Sequence, residues 1–138
     1  LRCKSLKNFS LPKTTTTIGT SVFGYCSGLI SLIIPEKVTL LSNYSFSFCS
    51  KLASIEIPKS VSSIGQFAFC NCSSFTAISI PSKVTRIEES LFKNCINLAS
   101  IQILGDVDYI GGFAFNFCTS LQSFSIPKKS DSNQRTLI

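Results

Sequence analysis

The sequence contains no histidine and no tryptophan, and only 7 of its 138 residues are acidic. The missing histidine removes the commonest general base and a common metal ligand. No apolar run reaches the roughly 18 residues that a membrane-spanning helix requires. The N-terminal residues do not show the charged region and apolar core of a secretory signal. These absences argue against a metalloprotein, a typical acid–base enzyme and a membrane-spanning chain.

Basic residues outnumber acidic ones by 13 to 7, which gives a formal net charge of +6. This charge favours acidic surfaces as partners and is also ordinary for a soluble domain. The motifs that accompany nucleic-acid binding are missing, so the sequence argues against a nucleic-acid partner. Hydrophobic residues make up 44% of the chain, which argues against disorder.

The dominant feature of the sequence is an internal repeat. Six cysteines are separated by gaps of 23 residues, namely Cys3, Cys26, Cys49, Cys72, Cys95 and Cys118. A phenylalanine column keeps the same period, with Phe23, Phe46, Phe69, Phe92 and Phe115. Leucine, isoleucine, proline and valine columns lie between them. A unit of 23 residues cannot bury its own apolar face, so stacked units must form a solenoid.

One unit shows how each layer is expected to fold. The alternation over residues 55–57 predicts a short strand, which Pro58 ends because proline cannot donate to a ladder. Residues 61–64 are expected to form a second short strand, and Gly65 a turn with positive φ. Residues 67–69 then make a tight turn or a short 3₁₀ segment. Equivalent segments stack into parallel β ladders.

The unit over residues 52–72 carries ten positions of a known pattern: Leu52, Ile55, Ile57, Pro58, Val61, Ile64, Gly65, Ala68, Phe69 and Cys72. It resembles the BspA-like, or Treponema pallidum-type, leucine-rich repeat, and the resemblance covers residues 1–127. The resemblance implies a curved scaffold that binds other molecules. It also implies a cell-surface or secreted adhesion protein of a bacterium or protozoan parasite.

The repeat defines the predicted domain organisation. Residues 1–127 form one solenoid of about five and a half units. Residues 128–138 are polar, lack the valine and isoleucine columns, and are predicted to be a degenerate or disordered tail. The ends leave two alternatives, because solenoids need polar caps to stay soluble. Either the chain is a piece of a longer array, or its ends stack against other copies.

The outward side chains of the first strand in each unit are the first candidate binding surface. They are small and rich in hydroxyl groups, and we name them the strand face: Asn8, Ser10, Ser31, Ile33, Ser54, Glu56, Ala77, Ser79, Ser100, Gln102, Ser123 and Ser125. Repeat proteins commonly bind partners on such extended surfaces. The expected partner is a protein or glycan on a host or extracellular surface. The alternative is a serine-rich face that only tolerates solvent.

A row of lysines follows the proline corner. This basic edge consists of Lys13, Lys37, Lys59, Lys83 and Lys128, with Lys129 beside the last. It can protect an exposed edge from aggregation. The alternative is docking to acidic glycans or acidic protein surfaces through a positive potential.

The cysteines are interpreted mainly as core. Equivalent side chains of a parallel ladder point the same way, which opposes the S–S torsion of a disulfide, and a linear row of thiols does not form a zinc tetrahedron. The exception is Cys70, which lies off the column at the position of Gly24, Ser47, Lys93 and Asn116. It is predicted to be the exposed thiol that a reagent labels first.

No catalytic site is predicted, because carboxylates such as Asp106 and Asp108 occupy variable surface positions. No metal or cofactor is expected. The function expected is a non-catalytic binding or adhesion module, and the alternative is a structural spacer or fragment of a longer surface array with no ligand of its own. Unpaired thiols favour a reducing compartment, so a cytoplasmic location stays an alternative to the surface.

Overall fold

The computed structural model describes residues 3–122, 124–127 and 135–137. These residues contain no helix and form a parallel β-solenoid whose layers repeat every 23 residues. Each layer runs through an extended segment, a corner, a second short strand and a hydrogen-bonded turn that leads to the cysteine, and the corner begins with proline except at Leu104. The predicted repeat solenoid is therefore confirmed.

The first ladder lies on one side of the solenoid. Its strands are β1 (Asn8–Ser10), β3 (Ser31–Ile33), β6 (Ala77–Ile80), β8 (Ser100–Ile103) and β10 (Phe124–Ile126). β1 pairs with β3 and β6 with β8, both parallel and both offset by one repeat, as in the pair Asn8 and Ser31. Successive side chains of β6 and β8 alternate between exposed and buried, so one face of these strands lies against the core.

The second ladder lies after the proline corners. Its strands are β2 (Thr17–Ile18), β4 (Leu40–Leu41), β5 (Ser63–Ile64), β7 (Arg86–Ile87) and β9 (Tyr109–Ile110). β2, β4 and β5 form one parallel sheet, and β7 and β9 form another. The predicted strand over residues 61–64 is thus present in its last two residues.

The turns form a third ladder of backbone hydrogen bonds. The Phe23 N–H donates to the Ser45 carbonyl over 2.9 Å, and the Phe46 N–H donates to the Ala68 carbonyl over 2.9 Å. The N–H groups two residues to either side repeat this pattern toward the next layer, while the intervening N–H groups close local turns. Each turn is therefore tied both to itself and to its neighbour.

The core consists of the repeated columns stacked on one another. The rings of Phe23 and Phe46 have centroids 5.4 Å apart, and those of Phe69 and Phe92 lie 5.9 Å apart, both nearly parallel. Four column cysteines donate their S–H groups to phenylalanine carbonyls 26 residues earlier, namely Cys49, Cys72, Cys95 and Cys118, and the Cys72 bond to Phe46 measures 3.2 Å. The thiols therefore link layers by weak hydrogen bonds as well as filling space.

The predicted strand over residues 55–57 is wrong. Residues 55–57 alternate in burial as predicted, but residues 54–57 belong to neither flanking sheet, and their backbone groups make no ladder hydrogen bond. Within the segment predicted to be a degenerate or disordered tail, β11 (Arg135–Leu137) pairs antiparallel with β10. Residues 128–134 and 138 lie outside the described part of the chain.

The expectation for Gly65 is also wrong, because no described glycine has positive φ. A Cβ at Gly65 would lie 2.5 Å from the Asn43 backbone nitrogen and 2.8 Å from the Ser42 carbonyl carbon. The glycine is required by close approach of the neighbouring layer. The left-handed conformations occur instead at ten non-glycine residues of the turns.

We expect Gly65→Ala to lower the free energy of unfolding by about 1–3 kcal/mol, because the backbone that a new methyl group would meet cannot move aside cheaply. Gly112→Ala is the matched control, since nothing lies within 4 Å of a Cβ there. Urea denaturation monitored by circular dichroism measures both. Equal losses in the two variants would contradict the close-approach explanation.

Two buried serines of one turn offer a second stability test. Ser45 is 0% exposed and its Oγ makes no hydrogen bond in the described structure, whereas the Ser47 Oγ donates to the Tyr44 carbonyl over 3.2 Å. Ser45→Ala should raise the free energy of unfolding by about 1 kcal/mol, because an unsatisfied buried hydroxyl is removed. Ser47→Ala should lower it. Guanidinium denaturation midpoints compare the two, and a loss of stability in Ser45→Ala would refute this account.

Candidate interaction surfaces

The strand face is exposed as the alternation predicts. Every predicted member in the described residues is exposed: Asn8, Ser10, Ser31, Ile33, Ser54, Glu56, Ala77, Ser79, Ser100, Gln102 and Ser125. Ser123 lies outside the described residues. Some polar groups bond between layers, because the Ser31 Oγ donates to Asn8 Oδ1 over 2.7 Å and the Ser79 Oγ donates to Gln102 Oε1 over 3.2 Å. The largest apolar exposure on this face is Ile33, at 76%.

The interruption of the first ladder makes the strand face uneven. A depression of about 470 Å³ lies between residues 54–57 and the sheet of β6 and β8, and another of about 260 Å³ lies toward β3. Ser54 and Glu56 line both depressions. The unpaired N–H and C=O groups of residues 54–57 therefore lie beside hydroxyl and carboxylate groups, and together they can bind a polar ligand.

The basic edge is exposed at Lys13, Lys37, Lys59 and Lys83, while Lys128 and Lys129 lie outside the described residues. Over the described ranges, the one ion pair is between Arg86 and Glu88, with 2.6 Å between Nε and Oε1. The four described lysines therefore keep their charge uncompensated by a contacting carboxylate.

The column cysteines are thiols held in the core. Cys26, Cys49, Cys72 and Cys95 are 0% exposed, Cys118 is buried, and Cys3 is partly buried. Burial raises the pKa of Cys26 and Cys118 to about 11 and that of Cys49 to about 12. At neutral pH these side chains stay protonated, and a protonated thiol is a poor nucleophile and metal ligand.

The prediction that Cys70 is exposed is wrong, because its side chain is only 5% exposed. Asn71 Nδ2 donates to its sulfur over 3.0 Å, and Asn94 Nδ2 donates to Asn71 Oδ1 over 3.0 Å. Burial raises the pKa of Cys70, while the positive charge of Lys93 opposes that rise. The equivalent residues Gly24 and Ser47 are buried too, so the small residues of this column reflect limited space.

The feature that sequence analysis missed is a pair of aromatic rows on the turns. One row contains Tyr44, Phe67 and Phe113, the other contains Tyr25, Phe48 and Phe117, and we name them together the aromatic turn rows. They flank the buried phenylalanine column at two residues on either side. Within the rows, Tyr25 stacks on Phe48 at 4.5 Å and Tyr44 on Phe67 at 4.8 Å. The 23-residue period of these positions could have revealed them.

All six residues of the aromatic turn rows adopt positive φ, between 58° and 61°. A non-glycine residue pays about 1–2 kcal/mol for this left-handed conformation, and asparagine tolerates it better than bulky residues do. Asn71 and Asn94 occupy the same column as Phe48, and Ser21 and Ser90 the same column as Phe67. The turn therefore accepts smaller residues at both positions.

The described residues contain no group of three or more cysteine, aspartate or glutamate side chains arranged to hold a metal ion. Asp106 is half-buried and Asp108 is exposed, and neither makes an ion pair within the described residues. The described part of the chain also contains no helix that is long and apolar enough to cross a membrane.

A parallel solenoid of short strands with 23-residue layers and an apolar ladder core defines a leucine-rich repeat scaffold. The BspA type leucine rich repeat region matches the chain in 6 copies, over residues 1–104 and 41–136. The chain therefore belongs to the BspA-type leucine-rich repeat family. No curated protein is significantly similar to the chain in sequence.

Solved structures show the same fold. The T. pallidum leucine rich repeat protein is 26% identical with a TM-score of 0.69, over 88% of this chain and 67% of that one. A leucine rich cell surface protein from Faecalibacterium prausnitzii is 26% identical with a TM-score of 0.59, over 87% of this chain and 41% of that one. The chain thus spans less than half the length of the second relative.

Thiol labelling tests the corrected positions of the cysteines. We expect alkylation of the folded protein at pH 8 to modify Cys3 first and to leave Cys70 and the buried column cysteines unmodified, because burial raises their pKa values and blocks access. In denaturant all seven cysteines should react. Mass spectrometry of tryptic peptides locates the labels. Early labelling of Cys70 would restore the exposed position that the sequence suggested.

Proposed function

We propose that the chain is a non-catalytic binding module that presents its strand face to a protein or glycan partner. The observation that carries the proposal is the break in the first ladder at residues 54–57, where unpaired backbone groups line depressions together with Ser54 and Glu56. Backbone N–H and C=O groups that are shielded from water are normally hydrogen-bonded to a partner. A ligand that covers residues 54–57 would therefore replace solvent as the hydrogen-bond partner of their backbone groups.

The chemistry of the strand face favours a ligand rich in hydrogen-bonding groups. The larger depression is lined by Ser54, Ser79, Ser100 and Gln102 along with aliphatic side chains. These donors and acceptors suit sugar hydroxyls or the backbone of an extended peptide. Glu56 contributes the one carboxylate, so a strongly acidic ligand is disfavoured at this position.

The surroundings of the module are part of the proposal. A relative that carries the same fold is described as a cell surface protein, which supports a cell-surface or secreted location for this chain. The exposed strand face supports a role in binding or adhesion at that surface. The competing role is a spacer in a longer surface array, which would expose the same scaffold without binding a ligand. End-to-end stacking of copies is a further alternative, and light scattering at high concentration tests it.

Introducing charge into the strand face tests the binding role. We expect Ser54→Glu combined with Ser79→Glu to weaken binding to glycans or peptides captured from arrays by at least about tenfold, because the bulky charged side chains would fill the depression and remove two hydroxyl groups that line it. Surface plasmon resonance measures the affinities of captured ligands for the wild type and the variant.

The matched control is Ser62→Glu combined with Thr85→Glu, which places the same charges at exposed positions directly before β5 and β7. Its affinity should equal that of the wild type. If a ligand binds both double variants as tightly as it binds the wild type, then it binds to another surface of the protein. A wild-type protein that captures no ligand from either array would favour the spacer role.

A further inference from the structure

The aromatic turn rows hold large side chains in a conformation that disfavours them. Phe113 and Phe117 are the clearest examples, because they are 65% and 59% exposed, adopt φ near 60° and stack on no described ring. Neither burial nor ring stacking therefore offsets the strain at these two positions. Phenylalanine tolerates this left-handed conformation less well than Ser90 and Asn94, which occupy the same columns in another layer. Its presence at residues 113 and 117 therefore indicates a role other than stabilising the fold.

The rows enclose two apolar slots. The first, of about 270 Å³, lies beside Tyr25 and Phe48, and the second, of about 230 Å³, lies between the Tyr44–Phe67 stack and Phe48. Phe48 lines both, so the slots are neighbours on one continuous surface. Exposed aromatic side chains grouped in this way mark interaction sites, since aromatic anchors dominate binding energy at protein interfaces.

Each slot carries an amine on its wall. Lys4 lines the first slot and Lys93 the second, and no aspartate or glutamate lines either. Lys93 makes no ion pair with a described carboxylate, and its Nζ lies 5.7 Å from the centre of the Phe113 ring. The slots therefore combine apolar walls with uncompensated positive charge, on a chain whose net charge is +6.

The combination of apolar walls and positive charge favours some classes of ligand and disfavours others. The ring faces within each pair are already stacked at 4.5 and 4.8 Å, so they cannot sandwich a nucleic-acid base between them. The walls are mainly apolar surface beside the side chains of Asn71, Asn94 and the serines at residues 27, 47 and 50, which suits a sugar with many hydroxyl groups poorly. An apolar side chain of a peptide can fill such a slot, and a neighbouring carboxylate can reach the amine.

We propose that the aromatic turn rows form a second docking surface, which binds an extended segment of a partner protein with apolar side chains next to acidic ones. The apolar side chains occupy the slots beside Phe48, and the carboxylates pair with Lys4 and Lys93. This surface comprises none of the strand-face residues, so its failure in a test leaves the proposed function untouched.

The test uses a random dodecapeptide library displayed on phage and the intact chain as bait. We expect the selected peptides to carry phenylalanine or leucine within two residues of aspartate or glutamate. Phe48→Asn combined with Phe67→Ser should weaken their binding by at least about tenfold, the loss typical of removed aromatic anchors. Lys93→Asn should weaken it several-fold and reduce its dependence on salt between about 50 and 300 mM.

These substitutions place residues that the same columns already hold, since asparagine stands at residues 71, 94 and 116 and serine at residues 21 and 90. Thermal unfolding verifies that each variant is folded. Ile33→Ser combined with Glu56→Gln is the control on the strand face and should leave peptide affinity unchanged.

Three outcomes overturn the proposal. The first is a selection that yields no peptide or yields basic ones. The second is a set of peptides that bind Phe48→Asn/Phe67→Ser as tightly as the wild type. The third is an anionic oligosaccharide whose binding, rather than that of any peptide, disappears in that variant, because this result would assign the surface to glycans.

Discussion

The constraint on which the structure depends is the backbone ladder of the turns, because its hydrogen bonds fix the distance between successive layers beside the phenylalanine column. An N–H group such as that of Phe46 donates to the next layer, and the Cys72 thiol donates back to the carbonyl of Phe46. The phenylalanine rings can stack at 5.4–5.9 Å only while this register holds. One inserted residue would displace the ring, the thiol and the small residue of a layer together, which explains why the period is uniform.

The sequence correctly predicted the structural features that repeat in every layer. The wrong predictions concern features that differ from one layer to the next. The core columns and the parallel register follow from the period, since identical residues at identical spacing must stack. The position of Cys70 could not be derived from its column, because that column holds the buried Gly24 and Ser47 in some layers and the partly buried Lys93 and Asn116 in others. The role of Gly65 was mistaken because the neighbouring layer at Asn43 requires a glycine there, whereas the backbone at residue 65 does not have positive φ.

The candidate interaction surfaces also differ in how far the sequence could predict them. The strand face was predictable because alternation decides which side chains point outward, whatever the neighbours are. The break at residues 54–57 was not, since those residues have the same apolar pattern as β6 and β8 but take part in neither sheet. The aromatic turn rows were visible as columns, but their meaning required the φ angles, which show that the large side chains are held against local preference.

The turn geometry explains how such a surface can vary without loss of the fold. Along each turn, the column phenylalanine packs in or against the core, and the residues two positions before and after it have positive φ and are partly or fully exposed, except for the buried Ser90. The N–H groups of all three donate to the next layer whatever their side chains are, as the bonds of Phe67, Phe69 and Asn71 show. The flanking positions therefore contribute a constant backbone to the scaffold and a free side chain to the surface. Serine, asparagine and aromatic residues can replace one another there layer by layer, so the chemistry of this surface can change while the core columns stay fixed.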